Sequence, residues 1–175
     1  SWEFTVEKVA VNAVMEGARP EYFPVILALA AGGMTARSSS TTSFATIPII
    51  NGPIRNEVAM NSGIGAMGPY NHANATIGRA YGLLSQNLQG GSVPDDTYMG
   101  SLGNWYAYTA VLPEAEERSP WQPLHVQKGF KPTDSVASIF FGGWYTHAGY
   151  GPRATWQEKM RHVLVGGGQY TPQLF

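Results

Sequence analysis

The chain has 175 residues, a net charge of −1 and no cysteine. This length suits one domain with a full hydrophobic core. The charge offers no basic surface for nucleic acid, and the lack of cysteine excludes disulfides, thiolate metal sites and a cysteine nucleophile in this chain. No run of about 18 apolar residues occurs, which predicts a soluble protein without a membrane span. A cysteine-free sequence also fits a cytoplasmic location.

Charged residues make up only 13% of the chain, while aromatic residues reach 12%. A typical globular domain carries about 25% charged residues. Interface cores are depleted in charge and enriched in aromatic side chains. The composition therefore predicts a subunit that buries much of its surface against partners. An ordinary monomer with an uncharged polar surface is the alternative.

Two helices are predicted in the first part of the chain. Apolar residues recur at helical spacing over residues 6–16, and Thr5 is a suitable N-cap. A second helix is predicted from near Pro20 or Tyr22 to Ala31. Pro24 must lie in its first turn, because a proline deeper in the helix would clash with the preceding turn.

Strands and helices then alternate. Residues 44–50 are nearly all apolar, as in a strand buried on both faces, although Pro48 removes one ladder donor. The order of elements predicts a single α/β domain over residues 1–175, in which a layered, mixed or mostly parallel sheet is flanked by helices. The other predicted elements are strands over residues 105–112 and 135–145, a helix over residues 75–88, and a helix that begins with a capping box of Thr155 and Glu158.

A candidate site follows the first predicted strand. In open α/β sheets, ligands bind beyond the carboxyl ends of strands. Residues 51–74 contain the densest mixture of glycine and uncharged polar groups, and they lead into a helix N-terminus that favours an anion. We expect a small polar or anionic substrate to bind there. The predicted substrate-binding residues are Asn51, Arg55, Asn61, Ser62 and Asn74.

Four candidate residues of this region have a structural alternative. We predict that His72 acts as a general acid or base, or donates a hydrogen bond to an oxyanion; otherwise it caps the helix. Arg55 suits a carboxylate clamp, or a salt bridge to Glu57 or a partner. Asn51 and Asn61 either orient the substrate or hold turns.

The other histidines and Arg79 are weaker candidates. His147 lies in a loop rich in glycine and aromatic residues, which would wall a pocket or form an interface; we include it among the substrate-binding residues. His125 is interpreted as structural, and Arg79 as one half of a structural ion pair. The spacing of the four histidines fits no zinc motif, so no metal site is predicted and no cofactor is assigned.

Residues 63–68 match the pattern GxGxxG. That pattern binds dinucleotides when it lies directly between a strand and a helix. Here Pro69 and a polar stretch come before the helix. A glycine loop that packs closely on a neighbour is therefore the preferred interpretation, and a nucleotide-binding module is the less favoured one.

Five segments carry a resemblance to a known family: TVEKVAVNAVM at residues 5–15, PEYFP at 20–24, NGP at 51–53, NATIGRA at 74–80 and SPWQPLHV at 119–126. They resemble the C-terminal half of the UGSC-like proteins, which are related to the selenoprotein B components of glycine-type reductases. The family carries its selenocysteine- or cysteine-containing motif in a preceding half. The resemblance implies that a second subunit, or a segment cleaved from the same precursor, supplies that half.

One position departs from the family in a way that bears on its chemistry. Ala18 stands where the family has a cysteine, which puts thiol chemistry from this half in doubt. We therefore expect one subunit of a hetero-oligomeric, oxidoreductase-like enzyme, whose partner chain supplies the nucleophile or redox centre. The alternative is a non-catalytic structural or binding subunit of the same kind of complex.

Overall fold

The computed structural model describes residues 4–32, 46–88 and 111–141, together with Thr155 and Gln157. The chain divides into two compact units, Ser1–Gly143 and Trp144–Phe175. All elements described below belong to the first unit. The expectation of one domain over the whole chain stays a prediction.

The first two helices form where the sequence predicts them. Helix α1 covers Val6–Met15, and the hydroxyl of its N-cap Thr5 accepts a hydrogen bond from the Lys8 amide at 3.2 Å. A 3-10 turn over Pro20–Tyr22 leads into helix α2, Phe23–Ala31, with a proline in the first turn as expected. Capping and proline geometry are local effects, which explains why these boundaries could be predicted.

Two more helices follow, a short α3 over Ile54–Glu57 and a long α4 over His72–Leu88. The apolar faces of α1, α2 and α4 pack together as the hydrophobic core. The buried apolar residues of these three helices are Val9, Ala13, Val25, Ile26, Leu29, Ala73, Ile77, Ala80, Tyr81 and Leu84.

Polar contacts join α1 to α4 at the edge of this core. The Asn87 amide donates to the buried Asn12 side chain at 2.7 Å. Arg79 forms an ion pair with Glu16 at 2.7 Å. The prediction that Arg79 belongs to a structural pair is confirmed.

The described strands form a mixed sheet in the order β2-β1-β3. Strand β1, Thr46–Asn51, pairs in parallel with the short β2, Leu112–Pro113, and antiparallel with β3, Val136–Phe141. Within the described part, β2 pairs only with Ile49 and Ile50. Among the described residues, Pro48 is paired with Ile139 of β3 alone. The expected α/β class with a mixed sheet is confirmed for the described residues.

Several boundaries differ from the prediction. Helix α4 begins at His72, three residues earlier than expected, because the Asn71 side chain caps it. The predicted strand over residues 105–112 is described only at its end, where β2 continues to Pro113. A one-turn helix α5, Leu124–Gln127, forms where no helix or strand was predicted.

The predicted helix after Thr155 lies outside the described residues, apart from Thr155 and the helical Gln157. Among the helices that the structure describes, none is both long and apolar enough to cross a membrane.

Candidate functional site

Polar side chains gather at the carboxyl ends of the parallel strands β1 and β2. Ile50 lies opposite Pro113, and the Glu114 amide donates to the Ile50 carbonyl at 3.0 Å. The next residue of β1, Asn51, is fully buried, and its Nδ2 donates to Glu114 Oε2 at 2.5 Å and to Glu116 Oε1 at 2.9 Å. Asn51 thus lies at the edge of the sheet where a site was predicted, and its partners are two carboxylates.

Arg55, on α3, is buried beside the same carboxylates. Its guanidinium pairs with Glu116 at 2.9 Å and Glu117 at 2.8 Å. It also donates to the carbonyls of Gly52 at 3.1 Å and Glu114 at 2.6 Å. The contacts match the salt-bridge alternative, with Glu116 and Glu117 in place of Glu57. All three guanidinium nitrogens of Arg55 therefore already donate to groups of the same chain.

The ion pair affects the protonation of Glu117. The hydrogen bond from Arg55 is the largest cause that lowers the pKa of the Glu117 carboxyl. A hydrogen bond to backbone and the positive charges of Arg55 and Arg118 act in the same direction, against a smaller effect of burial. Glu117 therefore keeps its negative charge beside the buried arginine to a lower pH than a free glutamate does.

His125, on α5, lies against this group and is fully buried. Its Nδ1 is 4.0 Å from Glu116 Oε1. Three buried atoms, His125 Nδ1, His125 Nε2 and Asn51 Oδ1, have no hydrogen-bond partner in the part of the chain that the structure describes. The Asn51 amide cannot be reversed to relieve this, since its oxygen would then face two carboxylates. An unpaired buried polar group costs about 1–3 kcal/mol.

Glu114 connects the histidine to the strands. Its Oε2 accepts from the Leu124 amide at 2.9 Å as well as from Asn51, and it thereby fixes the start of α5 next to the end of β1. We call the whole group the Asn51–His125 cluster; its members are Asn51, Arg55, Glu114, Glu116, Glu117 and His125.

The cluster carries more negative than positive charge. Three glutamates surround one arginine, so the balance is −2 when His125 is neutral. Such a balance favours an uncharged or cationic ligand over an anion. No group of three or more His, Asp or Glu side chains among the described residues is arranged to hold a metal ion.

The glycine-rich loop is held by asparagines. The buried Asn74 side chain accepts from the Asn61 amide at 3.1 Å and donates to the carbonyls of Asn61 at 2.8 Å and Ala66 at 3.2 Å. Asn71 Oδ1 caps α4 by accepting from the Asn74 amide at 2.9 Å. Asn61 and Asn74 thus hold turns, and the side chain of Asn71 occupies a helix amide that was expected to attract an anion.

The remaining predicted residues lie in other surroundings. His72 is exposed at the start of α4, and its Nδ1 is 3.2 Å from the Tyr22 hydroxyl. Ser62 is half-buried on the glycine-rich loop. His147 lies outside the described residues. The structure therefore brings Asn51 together with Arg55, and Asn61 with Asn74, while His72 contacts Tyr22.

Glu114, Glu116 and His125 were missed as site residues. A signal for the two glutamates was present, since the run Glu-Ala-Glu-Glu begins two residues after the predicted strand that ends at Leu112. The rule that pointed to Asn51, a polar group at the carboxyl end of a strand, applies equally there. For His125, the signal comes only from the structure, in which the Leu124 amide donates to Glu114 and His125 Nδ1 lies 4.0 Å from Glu116.

Comparison with known proteins gave no match to a family model, a curated protein or a solved structure. What the chain does is therefore inferred from its own geometry, and membership of the UGSC-like family stays a proposal.

Proposed function

We propose that this chain is one subunit of a multi-chain enzyme, and that the Asn51–His125 cluster binds a small polar substrate. A partner chain supplies the nucleophile or redox centre. The observation that supports a ligand most directly is the set of three buried polar atoms on Asn51 and His125 that lack partners among the described residues. Buried polar groups in proteins are otherwise nearly always hydrogen-bonded.

The unpaired atoms define what the ligand must offer. Asn51 Oδ1 is an acceptor, and a neutral imidazole adds one donor and one acceptor. A ligand with hydroxyl, amide or amine groups meets these requirements. The surplus of glutamates at Glu114 and Glu116 favours such an uncharged or cationic molecule over the anion that the helix N-terminus suggested.

His125 is the residue to which we assign proton transfer. Glu116, 4.0 Å from its Nδ1, would stabilise the imidazolium that forms when the histidine accepts a proton. Catalytic hydrogen bonds are often long until a substrate binds, so a separation of 4.0 Å is compatible with Glu116 orienting the base. His72 is exposed and paired with Tyr22, and it is better suited to a surface or structural role.

Composition and resemblance support the multi-chain assembly. A 13% charged fraction is typical of a chain that covers its surface with partners. The UGSC-like segments suggest a partner that carries a cysteine or selenocysteine. We further propose that the described strands belong to a larger layered sheet flanked by helices, and that the enzyme is cytoplasmic.

Native mass spectrometry of the tagged chain, purified gently from the cells that produce it, tests this proposal. We expect a complex with a second chain that contains cysteine or selenocysteine, together with a bound small molecule. Recovery of this chain alone, without another protein and without a small molecule, would contradict the proposal.

A further inference from the structure

We propose that the partner chain docks, through an acidic face of its own, on the exposed surface around α5. This contact brings its nucleophile or redox centre to the Asn51–His125 cluster. We call the region the α5 surface; its members are Arg118, Trp121, Lys128, Phe130 and Lys131. The inference rests on the proposed function and adds where the partner binds and what its binding face carries.

Helix α5 lies between the cluster and solvent. His125 is fully buried, whereas Gln127 and Lys128, at the end of the same turn, are exposed. The Leu124 amide donates to Glu114 at 2.9 Å, which fixes the start of α5 to the cluster. Because a helix with its side chains is about 10–12 Å across, a partner on the outside of α5 lies within that distance of His125.

The α5 surface is basic in a chain that is otherwise acidic. Of the 11 basic and 12 acidic residues of the chain, residues 118–133 contain three basic and no acidic ones, so eight basic residues stand against 12 acidic ones elsewhere. Arg118, Lys128 and Lys131 are exposed, and none forms a salt bridge with another residue that the structure describes. Three unpaired cations in one short segment are complementary to an acidic protein surface.

Two aromatic side chains supply the apolar part of the contact. Trp121 is 75% exposed and Phe130 is 49% exposed, and they lie before and after α5 in the chain. Tryptophan is among the residues that most often dominate the binding energy of protein interfaces. Aromatic side chains with charged residues around them have the composition of an interface core and its rim.

Hydrogen bonds hold the α5 surface in one conformation before a partner binds. The Gln127 side chain donates to the Gln122 carbonyl at 2.5 Å, and the Phe130 amide donates to the His125 carbonyl at 3.0 Å. The Lys131 amide donates to Asp134 Oδ2 at 2.9 Å. Because these bonds fix the backbone, little conformational entropy is lost on docking.

A membrane and a nucleic acid fit the α5 surface less well than an acidic protein. Polybasic segments that bind anionic lipids carry about 4–8 lysines and arginines, whereas this segment carries three. Helix α5 has a single turn, so it lacks the long apolar face of a membrane-bound amphipathic helix. Proteins that bind DNA tightly neutralise about 6–10 phosphates, which three cations do not match.

Variants of the tagged chain, purified with its partner and compared by native mass spectrometry, test the docking surface. We expect Trp121→Ser, and separately Lys128→Glu combined with Lys131→Glu, to reduce the fraction of chain bound to the partner at least tenfold. Met15→Ser and Lys8→Glu are the matched controls, because both residues are exposed on α1, and they should change that fraction less than twofold. Circular dichroism verifies that each variant is folded.

Hydroxyl-radical footprinting of the wild-type complex gives a second readout that needs no variant. Oxidation of Trp121 should fall at least fivefold when the partner binds, while oxidation of Met15 stays the same. A complex in which Trp121 stays as reactive as in the free chain, or which the α5 variants leave intact, would overturn the docking surface and leave the proposed function standing. So would loss of binding to phosphatidylserine vesicles, but not to the partner, in the lysine variant. Recovery of the wild-type chain without any partner would contradict both proposals.

Discussion

Arg55 compensates the negative charge at the carboxyl edge of the sheet. Its guanidinium is almost fully buried, and it contacts Glu116 and Glu117 as well as two backbone carbonyls. Glu116 is itself largely buried, whereas Glu117 is mostly exposed. Removing the arginine would therefore leave one carboxylate with little access to water.

Arg55→Met is expected to lower the free energy of unfolding by about 3–5 kcal/mol, because it leaves a buried charge uncompensated. Arg79→Met is the matched control, since it breaks the half-exposed pair with Glu16, which is worth about 0–1 kcal/mol. Urea unfolding followed by circular dichroism gives both values. Equal losses for the two variants would show that the Arg55 network adds nothing beyond a surface pair.

The junction between β1 and α3 depends on a glycine. Gly52 has a φ of +85°, and a Cβ built on it would lie 2.0 Å from the Asp134 carbonyl oxygen, just before β3. Its amide also donates to Glu116 at 2.8 Å. The close approach of these backbone segments joins the cluster to the packing of β1 against β3.

Gly52→Ala is expected to destabilise the chain by about 3–4 kcal/mol, since overpacking adds to the strain of a left-handed residue. Gly129 has a similar φ of +92° with nothing within 4 Å of a built Cβ, so Gly129→Ala should cost only about 1–2 kcal/mol. Thermal unfolding of both variants separates the clash from the strain. A Gly52→Ala loss no larger than that of Gly129→Ala would contradict the described contact.

At the level of elements, local signals were predictable and long-range ones were not. Helices α1 and α2 followed from an N-cap, apolar periodicity and the position of Pro24. Helix α4 was predicted too short, because residues up to 74 were interpreted as the candidate-site loop, although Asn71 is as local an N-cap as Thr5. The pairing of β1 with β2 joins residues more than 60 positions apart, and no periodicity specifies it.

The same dependence on long-range contacts explains which site residues could be predicted. Asn51 could be predicted, because a buried strand visibly ends there. The carboxylates that contact it depend on β2 lying beside β1 in parallel. The position of His125 depends on the hydrogen bond from the Leu124 amide to Glu114. The sequence therefore predicted Asn51 and Arg55 as site residues. The structure was needed to find Glu114, Glu116, Glu117 and His125.

For the whole molecule, the proposed function describes an assembly. The 13% charged fraction, the Asn51–His125 cluster and the UGSC-like segments support the proposal of a heteromeric enzyme. A count of each chain in the purified complex gives its stoichiometry.

The central claim is that buried His125 binds a ligand and does not stabilise the fold. Because its ring nitrogens have no partner among the described residues, His125→Leu should leave the free energy of unfolding unchanged or higher. Asn12→Leu is the matched control: it removes a buried side chain that donates to the Lys8 carbonyl and accepts from Asn87, and it should cost about 1–3 kcal/mol.

The most direct measurement is the native mass spectrum of the complex that carries His125→Leu, compared with wild type and Asn12→Leu. We predict that the His125→Leu complex assembles with its partner chain and loses the small molecule, whereas the Asn12→Leu complex retains it. A His125→Leu complex that keeps the small molecule at the wild-type level would contradict the assignment of the substrate site to the Asn51–His125 cluster.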